Sequence, residues 1–147
     1  DDRTFGVCER LFETCKTPLD ILIWGEEKLR PLFYGIGFQN KRSSFVISIC
    51  KALIDRFSST VPCEMNSLLS IRGIGRKTVS LVLAHAYGVP GIAVDTHVFW
   101  FAKRFGFAKS NKIFKVESEL KEKVPIDLWN DVNELFVKYG QTFRKKN

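Results

Sequence analysis

The chain has 147 residues, enough for one compact domain with a real core or for two small lobes sharing one. At 45% hydrophobic and 27% charged residues it is composed like an ordinary globular protein, and no apolar run approaches the roughly 20 residues that a membrane span needs. A formal net charge of +7 favours an acidic partner, of which nucleic acid is the commonest.

In chain order the periodicity predicts helices and no strand. The chain opens abruptly in a helical pattern, as a piece cut from something longer would, with Phe5, Cys8, Leu11, Phe12 and Cys15 at helical spacing over 4–15. Thr17 is placed as the N-cap, and Pro18 as the first residue, of a short helix to about Trp24. A third helix covers 26–34, and Pro31 must bend or interrupt it. Gly35-Ile36-Gly37-Phe38 forms a tight turn. A longer helix over 40–57 then turns Phe45, Ile49, Leu53 and Phe57 inward.

A short arm over 67–71 leads into Gly73-Ile74-Gly75 and a helix over 76–87, with Val79, Val82, Leu83 and Ala86 inward. Gly88 ends that helix, and Pro90 prevents its resumption. Asp95 or Thr96 caps a helix that runs to Phe105 and is closed by Gly106. Two further helices, about 111–123 and 127–139, bring the chain to Gly140. The tail Arg144-Lys145-Lys146-Asn147 is basic and expected to be loose. Cys8, Cys15, Cys50 and Cys63 stand at spacings that match no metal motif, and they read as buried, reduced thiols.

The stretch Ile71-Arg72-Gly73-Ile74-Gly75-Arg76-Lys77-Thr78 carries the chemistry. Two glycines leave the backbone N–H groups bare, and the helix that follows adds its unpaired first-turn donors and the positive end of its dipole. Together they make an anion site suited to a phosphate. Arg72 and Arg76 flank the turn and would strengthen such a contact. A free lysine, with an ordinary pKa near 10.4, is protonated and not nucleophilic at neutral pH. Lys77 sits beside Arg76 in the first helical turn, where a second positive charge is disfavoured, so its deprotonation is expected to be eased. Downstream stands Asp95, in Ile92-Ala93-Val94-Asp95-Thr96-His97. It reads equally as a helix N-cap, and the two roles are compatible.

These residues resemble a known family. The segment from Ser70 to Lys77 is similar to the helix-hairpin-helix of the endonuclease III branch of the DNA glycosylase superfamily (HhH-GPD). The run from Ala84 to His97, with Tyr87-Gly88-Val89-Pro90 and Val94-Asp95-Thr96-His97, resembles the segment that carries that branch's aspartate. The resemblance extends over essentially the whole chain, including 35–42 and Tyr139-Gly140-Gln141.

It implies an all-α fold of two helical lobes and a damaged base rotated out of duplex DNA. Lys77 matches the lysine that attacks C1′, displaces the base, forms a Schiff base and promotes β-elimination. Asp95 matches the carboxylate that stabilises positive charge on the sugar. The implied activity is a bifunctional DNA glycosylase and AP lyase for oxidised pyrimidines in base excision repair. Its partner is damaged double-stranded DNA, with no membrane, and the protein acts as a monomer. It would work in the bacterial cytoplasm or, in a eukaryote, in the nucleus or an organelle. Gly73, Ile74, Gly75, Arg72, Arg76 and Thr78 would contact DNA, as would Gly37, Phe38, Asn40 and Lys41 at the first Gly-Ile-Gly.

Alternatives stay open at several positions. Phe38 is either a wedge filling the gap left by the extruded base or a core residue. Gly35-Ile36-Gly37 is either a second grip on the backbone or a compact turn. His97 is either structural or a participant, and Trp100 and Phe101 read as core. The chain starts after the place where relatives carry a glutamine-bearing segment, so one lobe is expected to be incomplete. Relatives end in four cysteines that hold an iron–sulfur cluster; here Arg144 stands at the first of them, and no cofactor is expected within this chain. A monofunctional mismatch glycosylase and a silent DNA-binding module are the competing functions.

Overall fold

Backbone capping marks the first well-defined corner. The Thr17 hydroxyl accepts the Asp20 N–H at 3.2 Å, and the Asp20 carboxylate accepts the N–H groups of Lys16 and Thr17 at 2.9 and 2.8 Å. This reciprocal box starts helix α2 (Pro18–Leu32), with Pro18 at its head as expected. Thr17→Ala is expected to cost about 1 kcal/mol and to lower the melting temperature by about 2–4 °C, read by calorimetry.

The computed structural model describes residues 2–143, the side chains at positions 2, 3, 39, 40, 141 and 143 excepted. All helices and turns divide between two compact units, 1–74 and 75–147. No strand occurs among the described residues. The expected basic tail, 144–147, lies outside them.

In the first unit, α1 (Asp2–Thr14) buries Val7 and Leu11 and leaves Phe5 and Phe12 exposed. Gly25, at φ +80°, breaks α2 into the two expected pieces. Pro31 neither bends nor interrupts the second piece, because it falls in the last turn, two residues before Phe33 caps the helix. After the Gly35–Gly37 turn comes α3 (Gln39–Phe57). Its buried face runs through Ser43, Cys50 and Leu53, whereas Phe45, Ile49 and Phe57 are half-buried, a rotation from the expected face. Leu11, Cys15, Ile21, Leu29, Phe33, Ile36 and Cys50 form one core, with Val46 and Ile47 packed against it. A short helix, α4 (Met65–Leu69), closes the unit.

The second unit opens with α5 (Arg76–Tyr87). Ser80 rather than Ala86 joins Val79 and Leu83 on its buried side, and Gly88 ends it at φ +65°. Next come α6 (Thr96–Arg104), α7 (Ile113–Lys123), a single 3-10 turn (Ile126–Leu128) and α8 (Trp129–Phe143). The last helix does not stop at Gly140. That glycine is buried inside α8 because a Cβ there would lie 2.7 Å from the His97 Nδ1.

The core of this unit joins Ile92, Val94, Val98, Ala102, Val116, Leu120 and Val132. Each of the valine, leucine and isoleucine side chains among them contributes about 1.5–3 kcal/mol by leaving water. Phe101 stacks on Phe105 with ring centroids 4.4 Å apart and packs tilted on Phe136 at 3.9 Å, and Tyr139 meets it edge-on.

Candidate active site

Three buried residues, Ile92, Ala93 and Val94, carry the chain to the head of α6. The Asn133 amide, on α8, donates to the Ala93 carbonyl at 2.8 Å, and Asn130 accepts the Gly91 N–H at 3.0 Å. Asp95 follows in an extended conformation and caps α6. Its Oδ1 accepts the N–H groups of His97 and Val98, both at 2.9 Å. That leaves Oδ2, which accepts from the Lys77 ammonium at 3.0 Å. One carboxylate therefore holds its own helix with one oxygen and the lysine with the other.

Burial works to raise the Asp95 pKa, but the Val98 N–H, the Lys77 ammonium and the Asn133 amide outweigh it and hold the group below the ordinary carboxylate range. The Asp95 side chain is 13% exposed and that of Lys77 45%, so the amine is reachable while the carboxylate is shielded.

Lys77 and Asp95 open onto a concavity of about 760 Å³ lined also by Thr96, Phe99, Trp100, Lys103, Asn111 and Ile113. Trp100 thus belongs to this wall rather than to the core. The signal was in the sequence: 96, 99, 100 and 103 follow Asp95 at helical spacing and share one face of α6. Lys103 donates to the Lys109 carbonyl, and Glu119 accepts the Ser110 N–H at 3.2 Å, so the loop bearing Asn111 is held from two sides.

The other candidate residues have separate settings. Gly73 takes φ +97°, Gly75 is the N-cap of α5, and no side chain caps that helix's first turn. Arg72, Arg76 and Thr78 are exposed, and Ile74 is half-buried. Arg76 is turned onto Glu117, at 3.2 Å, a partner with no sequence motif to announce it. In the first unit Phe38 is 80% exposed, with left-handed backbone at φ 61°, which overturns its core reading. The Arg42 guanidinium donates to the Gly37 carbonyl at 2.7 Å and so braces the first Gly-Ile-Gly turn. Lys41 is exposed, and the Asn40 side chain lies outside the described residues. The His97 imidazole packs on Gly140, and its Nδ1 is buried with no hydrogen-bond partner among the described residues.

The cysteines do not fit an iron–sulfur cluster. Cys15 and Cys50 are buried in the first unit's core, where burial pushes both thiols up, while Cys63 is exposed rather than buried as expected. Among the described residues no group of three or more His, Cys, Asp or Glu is placed to hold a metal ion. Arg144 lies outside the described residues. No described helix is long and apolar enough to cross a membrane.

Among the described residues, helices alone with a glycine hairpin opening α5, and a lysine–aspartate pair across α5 and α6, mark a helix-hairpin-helix architecture. Residues 1–126 match the HhH-GPD superfamily base excision DNA repair proteins, and the chain belongs to that family. Within it, the chain is similar to endonuclease III of Thermotoga maritima, 31% identical over 145 residues that cover 99% of this chain and 68% of the relative. Against endonuclease III of Rickettsia felis the identity is 44% over 110 residues, 75% of this chain. The match takes in 52% of that relative's length, so the chain spans about half of it. A solved structure titled as a trapped endonuclease III–DNA covalent intermediate aligns with a TM-score of 0.90 at 33% identity, over 97% of this chain and 67% of its own.

Proposed function

We propose that the chain is the catalytic part of a bifunctional DNA glycosylase and AP lyase acting on oxidised pyrimidines in duplex DNA, working as a monomer wherever the cell keeps its DNA. The observation that carries the reading is the 3.0 Å contact between Lys77 Nζ and Asp95 Oδ2 at the edge of a concavity walled by Phe99 and Trp100. The similarity to a trapped endonuclease III–DNA covalent intermediate supports it.

In this reading Asp95 Oδ2 takes the proton that Lys77 must lose. The freed amine attacks C1′, and the bond from C1′ to the base breaks, its electron pair leaving with the base. The C1′–O4′ bond then breaks with its electron pair and one amine proton going to O4′, and the opened sugar is held as a protonated Schiff base on Lys77. Removal of a C2′ proton then expels the 3′ phosphate and nicks the strand. Asp95 hands that proton on to the departing base and is anionic again when the sugar is held as a cationic Schiff base, where a fixed negative charge is worth most. Arg72, Gly73, Ile74, Gly75 and Thr78 would hold the phosphate backbone, and Gly37, Phe38, Asn40 and Lys41 would meet the duplex, with Phe38 entering the gap left by the base.

Borohydride trapping on duplexes carrying thymine glycol or an abasic site tests this. Wild type is expected to give a covalent adduct, and Lys77→Arg, which keeps the charge opposite Asp95, none. Base release without an adduct would indicate a monofunctional enzyme. Duplex binding with neither would indicate a silent binding module.

A further inference from the structure

Glu117 stands on α7 between Val116 and Leu120, both fully buried, and its own side chain is 7% exposed. A carboxylate at that depth needs partners for its charge. It has two: Oε2 accepts from the Arg76 guanidinium at 3.2 Å and Oε1 from the Lys121 ammonium at 2.7 Å. Lys121 in turn lies over the Trp129 ring, 5.2 Å from its centroid. Arg76 is the first residue of α5 and Lys77 the second. The first turn of a helix is its least secured, because its N–H groups have no intrahelical acceptor, and Gly75 supplies no side-chain cap. The link from Arg76 to a buried carboxylate therefore anchors this turn. It also directs the guanidinium inward, although its position beside the glycine turn had suggested a phosphate contact.

We propose that Glu117 is a positioning residue: through Arg76 it fixes the first turn of α5 and hence the placement of Lys77 against Asp95, and Arg76 is an internal strut rather than a phosphate ligand. The inference rests on Lys77 being the nucleophile. It takes no part in bond making, so its signature is a loss of rate without a loss of ionic contact to DNA.

The test compares wild type with Arg76→Gln, Glu117→Gln and the double variant, using Arg72→Gln as the reference for a phosphate contact. Two quantities are measured: the single-turnover rate of adduct formation on an abasic duplex, and the salt dependence of binding to a duplex with a tetrahydrofuran site, which cannot form a Schiff base. Each single variant is expected to slow adduct formation by about ten- to a hundredfold, and the double variant by no more than the worse single. The slope of log Kd against log salt should stay at the wild-type value for Arg76→Gln and fall by about one for Arg72→Gln.

A slope lower by one for Arg76→Gln, wild-type rates in the single variants, or rate losses that multiply in the double variant would each overturn the proposal. If Glu117→Gln does not fold, Arg76→Gln carries the test, since its half-exposed side chain leaves Glu117 paired with Lys121. If wild type itself forms no adduct, the reading of Lys77 has failed instead. The strut is then judged by hydrogen exchange of the Val79 amide, which bonds Gly75 O at 3.0 Å. Faster exchange in Arg76→Gln supports the strut, and unchanged exchange overturns it.

Discussion

Asp95→Asn is expected to leave the protein folded and to remove at least about a hundredfold of the adduct-forming rate. The two oxygens of Asp95 make this separation possible. Oδ1 serves α6 through His97 and Val98, and an asparagine carbonyl accepts those two N–H groups nearly as well. Oδ2 serves Lys77, and an amide nitrogen there can neither accept the proton nor oppose a cationic sugar. Asp95→Ala removes both functions. It should match the asparagine variant in rate and lose about 1–2 kcal/mol more stability, because two donors at the head of α6 are orphaned. Denaturant unfolding beside trapping kinetics reads both. Equal stability losses in the two variants would mean that the cap is not what the second oxygen leaves intact.

Acid sharpens the same point. The native pKa of Asp95 lies below its ordinary value, so the unfolded chain binds the proton more tightly than the native one. Its stabilising contribution is therefore fully present above the unfolded pKa of about 4 and is lost as pH falls through the lower native value. The stability gap between wild type and Asp95→Asn should be flat from neutral pH to about 5 and close below about 4. A gap that closed near neutrality would contradict the shift.

The sequence made the helices legible for a local reason, whereas the roles of Lys77 and Asp95, 18 positions apart, were legible through the family resemblance. Caps, glycines and apolar spacing act within a few residues, and Thr17, Gly88 and Asp95 stand in the structure where those rules place them. Errors came where partners distant in sequence decide. Gly140 looks like a helix end, yet it continues α8 because His97 occupies the space a side chain would need. Arg76 has a partner, a glutamate 41 positions away, that its neighbours in sequence do not announce. Glu117 was detectable only as an acid interrupting the apolar spacing of Val116 and Leu120, a pattern with no meaning until its cations are found. Trp100 and Phe101 are neighbours with similar chemistry, and the turn of α6 sends one to the concavity and the other to an aromatic cluster.

The two glycines of Gly73-Ile74-Gly75 should fail in different ways. Gly73 has φ +97°, and a Cβ there would sit 2.8 and 2.9 Å from the Cγ and Cβ of Phe45. The Phe45 Cβ is fixed to the backbone, so no rotamer change can move it aside; α3 or the turn itself must shift. Gly73→Ala combines backbone strain with a clash and is expected to cost about 2–4 kcal/mol, by denaturant unfolding.

Gly75 has φ −103° and nothing within 4 Å of a built Cβ. Gly75→Ala should therefore fold with a change within about 0.5 kcal/mol. What its methyl group obstructs lies outside the protein, at the bare N–H groups heading α5. Binding of duplex DNA should weaken by about tenfold, the loss of roughly one backbone hydrogen bond to a charged oxygen. A binding titration on both variants under conditions where each is folded decides the matter. If Gly75→Ala binds DNA like wild type, the phosphate does not approach α5 at this turn, and the anchoring assigned to Gly73-Ile74-Gly75 is wrong.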